Sequence, residues 1–226
     1  MATEQKLAVT YGGKERVERT IEVLTPAFRG DPVYTWFLHT FDSQKHESVL
    51  PRLFRGFFTQ CALNKGMFIE VGDFGCCGLL MPPGAGVENP WTMLQARILP
   101  ALWSIGAGVF VRALFEYAPA AERMMEQVFT KEEMKKHWYV FIMGTSVDRQ
   151  RQGLASALLV DMQERGRTDG RPLWLEAITK SSLALYLKHG FQNHGEIILG
   201  KGKVGRDGLP KKNGDGIVIW SMSWRP

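Results

Sequence analysis

The sequence predicts an α/β (α+β) domain, and three consecutive stretches carry the prediction. Trp138-Tyr139-Val140-Phe141-Ile142-Met143-Gly144 is aromatic and aliphatic and reads as a strand that breaks at a glycine. Gln150-Arg151-Gln152-Gly153-Leu154-Ala155 then leads into a helical pattern from Ser156 to Glu164, closed by Gly166 and Gly170. Pro172-Leu173-Trp174-Leu175-Glu176-Ala177 follows as a second buried strand.

The remaining elements are read in chain order. Lys6 to Tyr11 is a candidate first strand. Lys14 to Phe28 has helical spacing at Val17, Ile21, Leu24 and Phe28 and stops before Gly30-Asp31-Pro32. Further helical regions run from Val33 to Leu38 and from His46 to Leu63. Met67 to Val71 and Cys76 to Met81 form a hairpin through Gly72-Asp73-Phe74-Gly75. From Pro82 to Lys136 the chain carries helical patterns about Met93 to Ala118 and Ala120 to Met134. Leu185 to Phe191 follows the strand at Leu173, and Gly195 to Gly200 and Gly216 to Trp224 close the domain as two strands around a basic loop.

Composition bounds the function. With 226 residues and 45% of them hydrophobic, the chain buries a sizeable core and is expected to form one domain. Met1-Ala2-Thr3-Glu4-Gln5 is polar with no apolar run after it, so no secretory signal is expected. The longest apolar run, Ile98 to Val111, falls short of the about 20 residues needed to cross a bilayer, and no membrane partner is expected. The three cysteines, Cys61, Cys76 and Cys77, offer no disulfide framework and suit a reducing, cytoplasmic setting. The five histidines show no ligand spacing with cysteine, so no metal is expected. The net charge of +5 is scattered apart from the loop around Lys201 to Lys212, which reads as a solvated hairpin loop and not as a nucleic-acid contact. The same mild positive balance would attract a multiply phosphorylated ligand.

The segment from Gln150 to Ser156 is where such a ligand would sit. A short loop entering a helix exposes unpaired N–H groups at the positive end of the helix dipole, which is an anion seat suited to a pyrophosphate. Gly153 lets the backbone approach the phosphates without a Cβ, and Ala155 is small enough for close contact.

The spacing Gln150-x-x-Gly153-x-Ala155 resembles the acyl-CoA loop of the GNAT superfamily of N-acetyltransferases. Leu185-Tyr186-Leu187-Lys188-His189-Gly190-Phe191 is similar to the segment that closes the same family's cofactor half. Together with the flanking strands the resemblance covers about residues 138 to 195. It implies a central mixed, twisted sheet of about seven strands flanked by helices and splayed between strands four and five. The stretch 82–136 then becomes a helical insertion between strands three and four, a layout broadly similar to that of puromycin N-acetyltransferases. Such an insertion either caps the acceptor side of the cleft or forms a dimer contact, so the protein is expected to be a monomer or a homodimer. Two features depart from the family pattern: Val147-Asp148-Arg149 lacks the proline often found there, and Ala155 replaces the commoner glycine.

The resemblance also implies the chemistry. The co-substrate is acetyl-CoA, held by Ile142, Met143, Gly144 and Thr145 on the splayed strand, by Gln150, Arg151, Gln152, Gly153, Leu154, Ala155 and Ser156 in the loop, and by Tyr186. Gly144 could permit the bulge that frees the strand's N–H groups for pantetheine and the thioester oxygen. Thr179 stands where many relatives place an asparagine that bonds the cofactor, with Ser182 one turn later. Either hydroxyl could contact pantetheine, but Thr179 reads equally as a helix N-cap. Tyr186 occupies the position of the family's tyrosine, whose neutral phenol can protonate the departing thiolate.

The base is open among three residues. Glu176 lies near the end of its strand and faces opposite to Leu175, His137 stands at the mouth of the strand from Trp138, and Glu70 lies on the hairpin. Cys76 and Cys77 read as buried packing, not as nucleophiles. The insertion's aromatics Trp91, Trp103, Phe110, Phe115 and Tyr117 read as core at helical spacing, with an apolar acceptor pocket as the alternative. The expected partner is a small-molecule amine. Acetylation of a protein lysine or N-terminus, or an idle module that binds acyl-CoA, are the competing functions.

Overall fold

The computed structural model describes residues 7–40, 43–85, 90–96 and 107–226. Strand β1 (Val9–Gly12) leads through a tight turn into α1 (Val17–Ala27), α2 (Pro32–Leu38) and α3 (Ser43–Leu63). The hairpin β2 (Met67–Val71) and β3 (Cys76–Met81) follows. The insertion then contributes α4 (Pro90–Gln95), α5 (Ala107–Val111), a π-helical turn (Arg112–Tyr117), α6 (Ala118–Val128) and α7 (Lys131–Lys136). The chain ends with β4 (Trp138–Thr145), α8 (Leu154–Asp169), β5 (Leu173–Ala177), α9 (Lys180–Lys188), β6 (Gln192–Leu199) and β7 (Ile217–Trp224).

The strands form one mixed sheet in the order β1-β2-β3-β4-β5-β7-β6, with β4 and β5 parallel and every other pair antiparallel. Seven strands in a mixed sheet match the expectation. The insertion differs in detail: its two long helical patterns break into shorter helices, and Trp103 and most of the apolar run from Ile98 lie outside the described residues.

Helices cover both faces. Against one lie α1, α2 and α3, whose Leu24, Trp36, Phe54 and Phe58 are almost completely buried with Phe68 and Leu79 of the sheet. Against the other lie α8 and α9, with Leu158, Leu159 and Tyr186 packed on Ile69, Leu80, Leu173 and Leu175. Each fully buried large apolar side chain contributes about 1.5–3 kcal/mol. Strand alternation sorts these residues, so Leu173, Leu175 and Ala177 join the α8 face while Trp174 and Glu176 point to the α1 face.

That alternation is interrupted once in β4. Leu80 pairs with Val140 and Leu79 with Ile142, which leaves Phe141 as an extra residue. Trp138 and Val140 pack with the α8 face, whereas Phe141 and Ile142 both pack with the α1 face, and Met143 returns to the α8 side. A one-residue bulge reverses every later side chain of a strand. Gly144, expected to permit the bulge, serves another purpose: a Cβ there would stand 2.8 Å from Leu24 and 2.9 Å from Phe28. The glycine lets α1 lie close against the end of β4.

The basic loop between β6 and β7 is more than solvated. Val204 is buried, and Gly208 lies against the backbone of Pro32 at the start of α2, while Lys201, Lys203, Arg206, Lys211 and Lys212 face solvent. Among the described residues no helix is long and apolar enough to cross a membrane.

Candidate active site

Two strands that diverge create the site. β4 and β5 pair only at Trp138 with Leu173 and Tyr139 with Trp174. Beyond that point Leu175, Glu176 and Ala177 pair with β7 alone, so the β4 edge after Tyr139 has no partner on the β5 side. The wedge opens into a cavity of about 940 Å³ that runs between the two helical layers. This lies at the upper end of the about 300–1,000 Å³ common for ligand pockets.

Glu176 sits in the wedge. Its Oε1 accepts from Trp174 Nε1 at 2.7 Å, and its Oε2 accepts from the Tyr139 hydroxyl at 2.9 Å and from the Tyr117 hydroxyl at 3.4 Å. Burial raises its pKa above the usual carboxylate range, and the three donors oppose that shift. A carboxylate so placed is a stronger base than one in water and still has lone pairs facing the cavity. Tyr186 reaches the same cavity from the α9 side, 6% exposed and packed on Phe191 at 5.6 Å between ring centroids. Burial, reinforced by Cys76 and Glu176, pushes its phenol well above the ordinary range, so it stays protonated and able to donate.

The loop before α8 has the geometry of an anion seat. Arg151 and Gly153 are both left-handed, with φ of 62° and 78°. Gly153 caps the sixteen-residue α8 with no side-chain hydrogen bond to its first N–H groups. Consecutive N–H groups in such a turn converge on a concavity that suits phosphate. The loop is braced from below: Arg149 Nη1 donates to the Gly72 carbonyl at 2.7 Å, and Ser146 N donates to the Gly75 carbonyl at 2.9 Å. Leu154 buries its side chain in the core, so only its backbone is available to a ligand.

No protein-family model matches the chain. An uncharacterized N-acetyltransferase of Schizosaccharomyces pombe is 24% identical over 182 residues, which is 80% of this chain and 73% of that relative. The solved structure of the histone acetyltransferase HPA2 and related acetyltransferase of Corynebacterium glutamicum aligns over 98% of this chain and 97% of its own, at 21% identity and a TM-score of 0.63. Arylalkylamine N-acetyltransferase 2 from Aedes aegypti aligns over 96% and 98%, at 14% identity and a TM-score of 0.58. The chain has the GNAT fold.

Within this GNAT fold the residues singled out in the sequence divide by position. Ile142, Met143, Gly144, Thr145, Gln150, Arg151, Ala155, Thr179, Ser182, Tyr186, Glu176 and His137 all line the cavity. Gln152 and Gly153 are exposed on the loop beside it. Ser156 is the third residue of α8, within its first turn, with its hydroxyl 2.9 Å from His189 Nε2. Thr179 and Ser182 form the two halves of a capping box at the start of α9, Thr179 Oγ1 accepting from Ser182 N and Ser182 Oγ from Thr179 N, each at 3.1 Å. Both hydroxyls are therefore committed to the helix end.

The candidate bases separate as well. His137 stands at the paired end of β4, its Nδ1 3.1 Å from the Glu133 carbonyl and its ring against Phe129; burial lowers its pKa. Glu70 holds the hairpin instead: its carboxylate accepts from Phe74 N at 2.8 Å and from the Thr10 hydroxyl, away from the cavity. Cys76 and Cys77 are fully buried, and burial pushes the Cys76 thiol up to about 11 and that of Cys77 higher still, which disfavours a thiolate. Of the insertion's aromatics, Tyr117 lines the cavity, while Trp91 and Phe115 are 76% and 69% exposed and belong to neither core nor pocket. The side chain of Phe110 lies outside the described residues.

Asp31 escaped notice in the sequence. Gly30-Asp31-Pro32 reads as a helix stop, and the structure adds that Asp31 caps α2 and lines the cavity while only 9% exposed. Its Oδ1 accepts from Val33 N at 2.9 Å and from Tyr34 N at 3.2 Å. Desolvation outweighs these bonds and raises its pKa to about 7. The folded state thus binds this proton more tightly than the unfolded chain, with its ordinary value near 3.8. Asp31 accordingly costs stability progressively as pH rises from about 4 to 7, and the cost is complete above that. Asp31→Asn keeps a competent cap. Its melting temperature relative to wild type is expected to rise between pH 5 and pH 8, as thermal unfolding at the two values would show.

Proposed function

We propose that the protein transfers the acetyl group of acetyl-CoA to the amine of a small molecule by direct attack within a ternary complex. One observation carries the reading: Glu176 and Tyr186 approach the wedge between β4 and β5 from opposite faces of the sheet, beside a loop built to seat a pyrophosphate. The residues fit acetyl-CoA. Arg151, Gly153 and the first turn of α8 would hold the phosphates, and a Cβ at Gly153 would project into open space beside the loop. The unpaired β4 edge from Ile142 to Thr145 would bond the pantetheine arm and polarise the thioester.

In this scheme Glu176 takes a proton from the acceptor's ammonium, directly or through water, leaving a neutral amine. The amine nitrogen attacks the thioester carbonyl carbon and the carbon–sulfur bond breaks. Tyr186 donates its phenolic proton to the departing sulfur and regains one from the nitrogen by way of solvent. The products are the N-acetylated amine and CoA. Tyr186→Phe is expected to lower kcat roughly tenfold or more while leaving acetyl-CoA affinity nearly unchanged, as steady-state rates and a binding titration would show.

The acceptor side supports a small molecule over a protein. Leu114, Tyr117, Ala121 and Met125 of the insertion line the cavity and make a largely apolar wall, which suits a small organic amine. The Aedes aegypti enzyme of the same fold is named for arylalkylamines, which agrees with an amine acceptor. Thermal unfolding with acetyl-CoA, run beside thiol release over amine and peptide panels, tests the proposal. At about 100 times its Kd, acetyl-CoA stabilises by about 2.7 kcal/mol. Thiol release with small amines is the expected result. Release with peptides alone would make the protein a protein acetyltransferase, and stabilisation with no release would leave an acyl-CoA-binding module.

A further inference from the structure

The cavity holds a buried carboxylate that acetyl transfer to a simple amine leaves unused. Asp31 Oδ1 is occupied by the α2 N–H groups, whereas Oδ2 takes no hydrogen bond or ion pair among the described residues. A buried carboxylate without a counter-charge is costly, and the cost disappears when a ligand brings the cation. Asp31 and Glu176 line the same cavity, and a run of contacts joins them: the Tyr117 hydroxyl donates to Glu176 Oε2 at 3.4 Å, the Tyr117 ring meets Phe37, Phe37 meets Tyr34, and the Tyr34 N–H donates to Asp31. The walls between the two carboxylates are aromatic: Phe28 meets Tyr34 edge-on at 5.6 Å, Tyr34 meets Phe37 at 6.0 Å, and Phe37 meets Tyr117 at 6.2 Å. Aromatic faces beside a carboxylate suit an alkylammonium or guanidinium group. The cationic side chains that line the cavity lie elsewhere, Arg151 in the phosphate loop and Lys135 on α7.

Given the acetyl-transfer reading, on which this rests, we propose that Asp31 anchors a second cationic group of the acceptor, so that the substrate is a short diamine or guanidino-amine acetylated at the end near Glu176. The reacting nitrogen loses its proton to Glu176, and the far cation stays charged against Asp31 along an apolar spacer that runs past Tyr117.

The test compares linear diamines of graded length with monoamines of equal length, in wild type and in Asp31→Asn, with the variant's fold checked by thermal unfolding. Asparagine keeps the cap of α2 and removes only the charge. Wild type is expected to favour one diamine length over its monoamine by about tenfold or more in kcat/KM. In the variant that preference is expected to fall to about one, with the loss in the diamine's KM. A preference that survives in Asp31→Asn overturns the assignment. So does a fall in kcat for both amine classes with KM held, which would place Asp31 on the proton path. A wild type that acetylates monoamines as well as every diamine refutes the second cation but leaves acetyl transfer standing. Acetyl-CoA binding with no release from any amine would instead remove the parent reading.

Discussion

Glu176→Gln is expected to lower kcat by about 10²–10⁴-fold, the range over which a positioned general base contributes. Glutamine preserves shape. Its carboxamide oxygen can still accept from Trp174 Nε1, and the hydroxyls of Tyr139 and Tyr117 can turn to accept from its amide. What it loses is the capacity to take a proton. Because burial raises the Glu176 pKa, the acid limb of kcat/KM in wild type should lie above the ordinary carboxylate range near 4.5. Activity depends on the ionised form, so it falls as pH drops through that raised value, and the limb should be missing from the residual activity of Glu176→Gln. The variant should unfold no earlier than wild type, since a neutral amide avoids the cost of a buried charge. An unchanged kcat would sink the assignment and pass the role to His137 or Asp31.

Gly153→Val is expected to weaken acetyl-CoA binding by about tenfold or more. Two effects act together. At φ 78° a β-branched residue is strained by about 1–2 kcal/mol, which favours a loop of different shape over the one that converges its N–H groups. The added side chain also projects where the phosphates would approach. No heavy atom lies within 4 Å of a Cβ built there, so the substitution meets no packed core. Loss of most of the acetyl-CoA-induced thermal shift, with a cooperative unfolding transition retained, is the expected pair of observations. A full shift in the variant would mean that the loop from Gln150 to Ser156 is an ordinary strand-to-helix turn.

Legibility in the sequence followed the range of the forces involved. The strands at Trp138 and Leu173, the helix after Gly153 and the capping box at Thr179 are written in residues close to one another, because side-chain periodicity and cap chemistry act over a few positions. The turn into α8 was legible for the same reason: the residues that shape it belong to one short segment. The helices between β3 and β4 were expected but divided elsewhere: the helical run from Ala107 continues through the π-helical turn at Arg112 to Tyr117 as far as Val128, and the break falls before Thr130, whose capping box with Glu133 starts α7. Glu176 could be aimed by alternation, yet its ring of donors could not, because Tyr117, Tyr139 and Trp174 reach it from an inserted helix, a neighbouring strand and its own strand.

The sequence by itself determined the order of elements, the glycine-containing turn into α8 and the positions of Tyr186 and Glu176 along the chain, all consequences of short-range backbone and side-chain preferences. Tertiary structure alone decided where β4 bulges, that Gly144 serves α1 packing, that Glu70 holds a turn, and that Asp31 shares a cavity with Glu176. Those outcomes depend on which distant surfaces meet and on how far water is excluded between them. Burial sets the proton affinity of Asp31 and Glu176, and burial is a property of the packed layers, not of any neighbouring residue.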